Sequence, residues 1–459
     1  MGQNTKITNM LSAAGLVAFM AGCASPGDYS ATPPPRPLGA EYTAVGTKRE
    51  MATEPAHAVL VPDVLQLTDA LALALMGNPE LVAFSYEVRA AETLVLQAGV
   101  LPNPELELGI EEFDRGGEGF DSAETSVTLG QLFELGSKRR WRTRVAEAEG
   151  ELAGWDYESK RMDVFTETAR RFTEVISAQE RLELSRSIVG LAEKTSQAVA
   201  ERVKAGKEPP LQAAKSEAEL EMARLDAQGA ENAQEVARRN LAAMWSAERA
   251  EFQDARGKID QILQVIPTLE ELRPRLALNP DLARWKAELD LRQAMLSSEK
   301  AARIPDLKGS VGYLQFEEDG TDALAFGIAV PLPLFYRNQR NIEAATHRLS
   351  KAKAMGAVVE VTLAVELAAA HAALMISHQR VTALSGKVIP AMEQTYQAVH
   401  EGYTQGKFGF LEVLDAQRGL FEAKAALLDT QNGYQRAVID IQRLTGTDMQ
   451  KLTNEKAKE

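Results

Sequence analysis

The sequence is poor in several things, and each shortage narrows what the chain can be. Only one cysteine, Cys23, stands among 459 residues, so no internal disulfide can form. Cations are outnumbered by acids, 51 to 65, for a net charge of −14. That balance argues against a nucleic-acid partner, because phosphate binding draws on a basic stripe. Aromatic residues are scarce at 6%; Ala, Leu, Glu, Gln, Lys and Arg dominate instead, the composition of long helices and coiled coils. Long uncharged apolar runs are absent from the interior of the chain. The best, 357–376, is interrupted by Glu360, Glu366 and His371, whereas a spanning helix needs about 18 or more mostly uncharged residues.

Signatures of enzyme chemistry are missing too. There is no G-x-x-x-x-G-K-[ST], "GGEG" at 116–119 is a loop between strands, and "HEGY" at 400 lacks a second histidine four residues on. The five histidines are scattered. His371 and His378, seven apart on one helical face, are about 10 Å from each other, too far to share one ion. No catalytic residue, metal site or cofactor is expected.

The single cysteine ends a different pattern. Residues 1–22 carry Lys6 and then an apolar run to Met20, a secretory signal. Met20-Ala21-Gly22-Cys23 resembles a bacterial lipobox, so Cys23 is predicted to be freed at its amino side and acylated, the only covalent group expected. Ala24 after it suggests export to the outer membrane. Residues 23–63, with "SPGDYSATPPPRPLGAEY", read as an extended, partly disordered Pro-rich tether. One lipid chain anchors only marginally, so further membrane contact is expected.

The chain then says everything twice. "NPEL" at 78–81 returns as "NPDL" at 279–282, and "LPNPELEL" at 101–108 returns as "RIPDLKGS" at 303–310. Residues 198–220 align with 398–420, Gly206-Lys207 falling on Gly406-Lys407. Two repeats follow, 64–266 and 267–446, with a tail at 447–459. Each has a helical lead-in (68–100; 268–303), a hairpin (104–113 and 124–133; 306–316 and 323–332), a very long helix (138–204; 338–404), a break, and a last helix (210–250; 410–446). The long helices, near 100 Å at about 1.5 Å per residue, call for coiled-coil packing. Pro390, and its repeat mate Gly190, suggest kinks or local loosening.

Each hairpin strand is 9–11 residues, the length that crosses a bilayer when tilted. Leu106, Leu108 and Ile110 alternate with Glu105, Glu107 and Gly109; Leu324, Phe326, Ile328 and Val330 alternate with Ala325, Gly327 and Ala329. One apolar and one wet or small face suit a barrel wall. A membrane sheet must close, and four strands are too few, so the edges are expected to pair with other copies of the chain. Eight strands would fill with side chains, which favours three or more copies.

Taken together, "NPELVAFSYEVRAAE", "QAGVLPNPELEL", "LGQLFELGSKRRWR", "IPDLKGSVGY", "VPLPLFYRNQRNIEAA" and "GYTQGKFGFLEVLDAQRGLFEAK" resemble the TolC family of outer-membrane efflux ducts, in its heavy-metal branch of CzcC- and CusC-like lipoproteins. The resemblance covers roughly 64–446. It implies a mainly α homotrimer with a small transmembrane β part: a twelve-stranded barrel, four strands per chain, continued by a long coiled-coil periplasmic tunnel. It implies the exit duct of a tripartite pump in the outer membrane of a Gram-negative bacterium, with a periplasmic adaptor and an inner-membrane RND transporter, exporting heavy-metal cations. It places a periplasmic gate at Glu412, Asp415, Tyr403 and Phe408. It places adaptor-contacting tips at Ala205, Gly206, Lys207, Gln405, Gly406 and Lys407. Where family members often carry an arginine this chain has Phe408, so Lys407, or a constriction by Phe408 and Phe410, would replace it. A duct for organic compounds or secreted protein is the alternative; a lipid-anchored coiled coil without a pore is another.

Overall fold

The computed structural model describes residues 29–45, 61–111 and 124–456, apart from 264 and 318. The signal segment and Cys23 lie outside the described residues. The first half runs β1 (Val64–Gln66), α1 (Leu67–Gly77), α2 (Pro79–Ala98), β2 (Glu105–Glu111), β3 (Glu124–Phe133), α3 (Lys138–Lys204), α4 (Pro210–Ala242) and β4 (Asp254–Arg256). The second runs α5 (Leu269–Leu272), α6 (Pro280–Ala301), β5 (Leu307–Phe316), β6 (Thr321–Ala329), α7 (Gln339–Ala383), α8 (Ile389–Thr404) and α9 (Phe410–Thr445), and α10 (Met449–Lys456) follows.

Helix α3 is unbroken for 67 residues, about 100 Å at 1.5 Å per residue. It passes straight through Gly190, so the loosening expected there is not seen. On the other side it is seen: a wide turn at Leu384–Val388 separates α7 from α8 just ahead of Pro390. A proline ring inside a helix removes one N–H and presses on the carbonyl four residues back; a locally wider turn relieves both.

The helices pack antiparallel, as the ion pairs between them record. Between α3 and α9, Arg443 meets Asp163 at 2.6 Å, Arg170 meets Asp440 at 2.6 Å, and Arg181 meets Asp429 at 3.3 Å. Such half-exposed pairs set register more than they stabilise, since each contributes about 0–1 kcal/mol. Apolar burial carries the packing: Leu363, Leu367 and Leu374 of α7 lock against Tyr434, Val438 and Ile441 of α9.

The same local contacts recur about 200 residues apart. Asn78 and Asn279, both buried, precede Pro79 and Pro280 and cap α2 and α6 by accepting from Leu81 N at 3.1 Å and Asp281 N at 2.8 Å. Their amides donate to the Met244 and Leu444 carbonyls, each at 3.0 Å. One side chain thus caps one helix and satisfies the end of another.

Four features depart from the sequence reading. Residues 29–45, expected within a loose tether, lie packed on the helices. The Ala31 carbonyl sits against Gly154, Arg36 N donates to Glu158 at 2.7 Å, and Arg161 donates to the Leu38 and Gly39 carbonyls at 3.0 and 3.2 Å. The 447–459 tail contains α10, whose Met449 and Leu452 join the α7–α9 core. Strands β1 and β4 pair in parallel as a two-stranded sheet that three-residue segments do not announce in sequence. And α7–α8 contains a window apolar enough by composition to cross a bilayer. Its apolar residues divide between the stripe packed on α9 and an exposed row, Val358, Val361, Val365 and Ile376.

Candidate functional site

Two places concentrate what the sequence singled out: the sheet, and the far ends of the long helices.

The sheet has the order β2-β3-β5-β6, all antiparallel. Register decides what its faces are, because a slip of one residue would exchange them. Leu108 faces Val127, Val127 faces Tyr313, and Tyr313 faces Leu324. One step along, Leu106, Leu129, Val311 and Phe326 form the next row. All fall on one side, so the separate alternations of the strands merge into one apolar face. It is open: Leu108 is 71% exposed, Phe326 80% and Ile328 78%. The opposite face carries Glu107, Thr128, Gly312 and Ala325 in one row and Gly109, Ser126, Leu314 and Ala323 in another. On this face Lys308 meets Glu105 at 2.6 Å. The outer edges of β2 and β6 have no partner strand among the described residues.

At the far end, α3 and α8 stop in the same way. Gly206 (φ +69°) and Gly406 (φ +74°) adopt the left-handed conformation. Lys207 N donates to the Arg202 carbonyl at 2.9 Å and Gly206 N to Val203 at 3.0 Å; Lys407 N and Gly406 N do likewise to Gly402 and Tyr403, at 2.8 and 2.9 Å. This double bond pattern is the Schellman stop, which wants glycine at that position. Ala205, Gly206, Lys207, Gln405, Gly406 and Lys407 are all exposed.

The structure brings the two tips together. Tyr403 is 4% exposed and packs with Val199, Phe410 and Val413. Burial pushes its phenol above the ordinary tyrosine range. Its hydroxyl has no hydrogen-bond partner among the described residues. What holds it is Arg202, at the end of the first long helix: the guanidinium lies 4.6 Å over the Tyr403 ring and donates to the Tyr403 carbonyl at 3.2 Å. Sequence reasoning missed Arg202. Its only trace there is the 200-residue offset, which sets it opposite Gly402 rather than Tyr403.

Phe408 and Phe410 separate. Phe410 is 2% exposed within the tip core, so the expected pairing of the two as a constriction fails: helix periodicity turns Phe410 inward. Phe408 is 45% exposed and lies across Gly402, where a methyl group would overlap its ring. Glu412 and Asp415 are both exposed on α9. Glu412 sits in the first turn and folds back toward Gly409, a favourable place for a carboxylate near a helix N-terminus. Among the described residues no cluster of three or more His, Cys, Asp or Glu side chains is arranged to hold a metal ion. His371 instead bonds the Pro267 carbonyl at 3.0 Å.

A family model described as "Outer membrane efflux protein" matches residues 70–247 and 273–447. The cobalt-zinc-cadmium resistance protein CzcC of Cupriavidus metallidurans is 34% identical over 383 residues, 83% of this chain and 90% of that protein. The nickel and cobalt resistance protein CnrC of the same organism is 25% identical over 300 residues, 65% of this chain and 69% of that protein. Among solved structures, CusC superposes with a TM-score of 0.72 at 17% identity, covering 83% of this chain and 92% of that one.

Proposed function

The chain belongs to the outer membrane efflux protein family and is an outer-membrane efflux channel, and from that premise we propose that three copies join edge to edge into a twelve-stranded barrel conducting heavy-metal cations. The observation that carries the closure is the sheet itself. Its apolar face is continuous across all four strands, yet β2 and β6 have no partner strand on their outer edges among the described residues. Hydrocarbon offers backbone N–H and C=O groups no partner, so the edge of one copy must meet that of the next. The long helices then extend the wall as a periplasmic tunnel, and the two glycine tips face a periplasmic adaptor and, through it, an inner-membrane RND transporter. Metal cargo is favoured by the relatives, which are named for resistance to cobalt, zinc, cadmium and nickel.

At the tips, threefold copies of Glu412 and Asp415 form an acidic ring at the tunnel mouth, and Tyr403 with Phe408 narrows it. Such a ring attracts cations and resists closing unless neutralised.

Acylation of Cys23 fits the course of the N-terminal segment. That segment climbs α3 toward the sheet, with the Tyr29 hydroxyl donating to Glu147 O at 2.7 Å. Cys23 lies six positions before Tyr29, a reach of up to about 20 Å. The start of α3 lies only about 14 Å above Glu147 along the helix.

The test of cargo is a deletion strain challenged with zinc, cobalt, cadmium, nickel, copper and silver. Loss of tolerance to one or more is expected, restored by the gene in trans; unchanged tolerance to all six would remove the metal reading.

A further inference from the structure

We propose that the junction between sheet and helices is a docking band for anionic phospholipid headgroups in the inner leaflet of the outer membrane. The proposal rests on the reading of the sheet as a membrane wall and adds what its periplasmic rim recognises.

Three links meet at this level. The β3–α3 link touches the α6–β5 link, where Leu135 N donates to Asp306 at 3.0 Å and Lys138 pairs with Asp306 at 2.7 Å. The β6–α7 link is tied to the end of α6, where Asn338 donates to the Glu299 carbonyl at 2.8 Å. These contacts fix the rim as one surface.

Its charge is opposite to that of the molecule. Segments 134–144, 300–308 and 333–340 hold ten Lys or Arg in a chain of net charge −14. Five of them are paired, Lys138 with Asp306, Arg142 with Glu134, Arg144 with Glu147, Lys308 with Glu105 and Arg340 with Glu343. That leaves Arg139, Arg140, Lys300, Arg303 and Arg337 as cations without an ion pair among the described residues. Arg139, Arg140 and Arg303 are exposed. Lys138, Arg139 and Arg140 open α3, and no acid stands in its first turn. Cations at a helix N-terminus oppose the macrodipole, so this cluster is not there to stabilise the helix.

The rim is also greasy on its sheet side. Leu332 is 75% exposed, Leu334 63%, Phe335 90% and Tyr336 76%. An exposed apolar run of this kind marks a surface meant to be covered. Pro331 and Pro333 keep the run out of the sheet ladder, and the Arg337 guanidinium donates to the Pro333 and Leu334 carbonyls at 3.2 and 3.3 Å. Along the chain the order is apolar strand, then Leu-Phe-Tyr, then arginine. That is the order of hydrocarbon, interface and phosphate met when leaving a bilayer. Guanidinium groups suit phosphate because the planar fork bonds two oxygens at once. The band continues the sheet's apolar face through Phe133 and Val330, which favours lipid over a protein partner.

The experiment uses the full-length protein in phosphatidylcholine bilayers, with brominated phosphatidylglycerol or brominated phosphatidylcholine as quencher. Trp141 lies among these arginines, and its fluorescence is identified by its loss in Trp141→Phe. A cation near an anionic surface is worth roughly a fivefold preference, so quenching of Trp141 should favour phosphatidylglycerol by about fivefold or more. The preference should shrink as salt is raised. It should fall to near unity in the triple variant Arg139→Gln, Arg140→Gln, Arg303→Gln, with trimer and conductance retained. Lys194→Gln, far down α3, should leave it unchanged. Equal quenching by both lipids in the wild type, or a preference intact in the triple variant, overturns the docking band alone. No quenching by either lipid overturns the membrane wall and the band with it.

Discussion

Asn279 is fully buried, and its amide does two things at once: Oδ1 caps α6 through Asp281 N, and Nδ2 donates to the Leu444 carbonyl. Asn279→Ala loses a cap and strands a buried carbonyl, together about 2–3 kcal/mol. Asn279→Asp should be no better, because a carboxylate has no donor for Leu444; thermal unfolding of the detergent-solubilised protein checks both. At the tip, the Tyr403 hydroxyl has no partner among the described residues, whereas Arg202 bonds across to the Tyr403 carbonyl. Tyr403→Phe should therefore leave closed-state conductance as it is, and Arg202→Met should raise it; the reverse order would mean the hydroxyl, not the guanidinium, ties the tips. Glu412→Ala with Asp415→Ala should weaken cation preference in planar bilayers, and unchanged ion selectivity would take both residues out of the mouth. The glycine tips were legible because left-handed stops leave a residue signature. Arg202 was not, because its partner is 201 residues away and only the fold brings them together.

Helix α3 and the segment laid along it belong to the scale of elements. Glycines on α3 look alike in sequence but differ in surroundings. A side chain at Gly154 would overlap the Ala31 carbonyl, a backbone atom that cannot swing aside, while a methyl group at Gly190 would point into open space. Gly154→Leu should lift residues 29–45 and speed chymotryptic cleavage after Tyr42, which is half-buried against Phe165. Gly190→Ala should leave cleavage unchanged and stabilise α3 by about 1 kcal/mol; equal cleavage in the two variants would mean the segment is not seated there. The same docking carries a pH dependence. Tyr157 donates to the Val45 carbonyl, and burial pushes its phenol up to about 12 from 10.0. A raised folded pKa means the folded state prefers the neutral phenol. Its contribution is complete below pH 10 and is lost as pH rises toward about 12. Tyr157→Phe should remove that part of the alkaline fall in thermal midpoint. The long helices and hairpins could be placed from periodicity and from the lack of proline. The docking of 29–45 could not, since a Pro-rich run announces only extension, and its seat is a glycine notch some 120 residues further on.

For the whole molecule, the central matter is how four strands with two open edges become a wall. The alternation of Leu106, Leu108 and Ile110, and of Leu324, Phe326 and Ile328, was readable strand by strand. That these rows join into one face depends on cross-strand register, which the sequence does not display and the structure supplies. The account therefore stands on the pairing of β2 in one copy with β6 in the next. The most direct measurement is disulfide cross-linking in the native membrane. Leu108→Cys on β2 is combined in turn with Leu324→Cys, Phe326→Cys or Ile328→Cys on β6, in a chain whose single native cysteine is Cys23. In the matching register, a non-reducing denaturing gel should show dimers and a closed three-chain species, and nothing larger. Chains that stay single in every combination, or a ladder running past three, would contradict it.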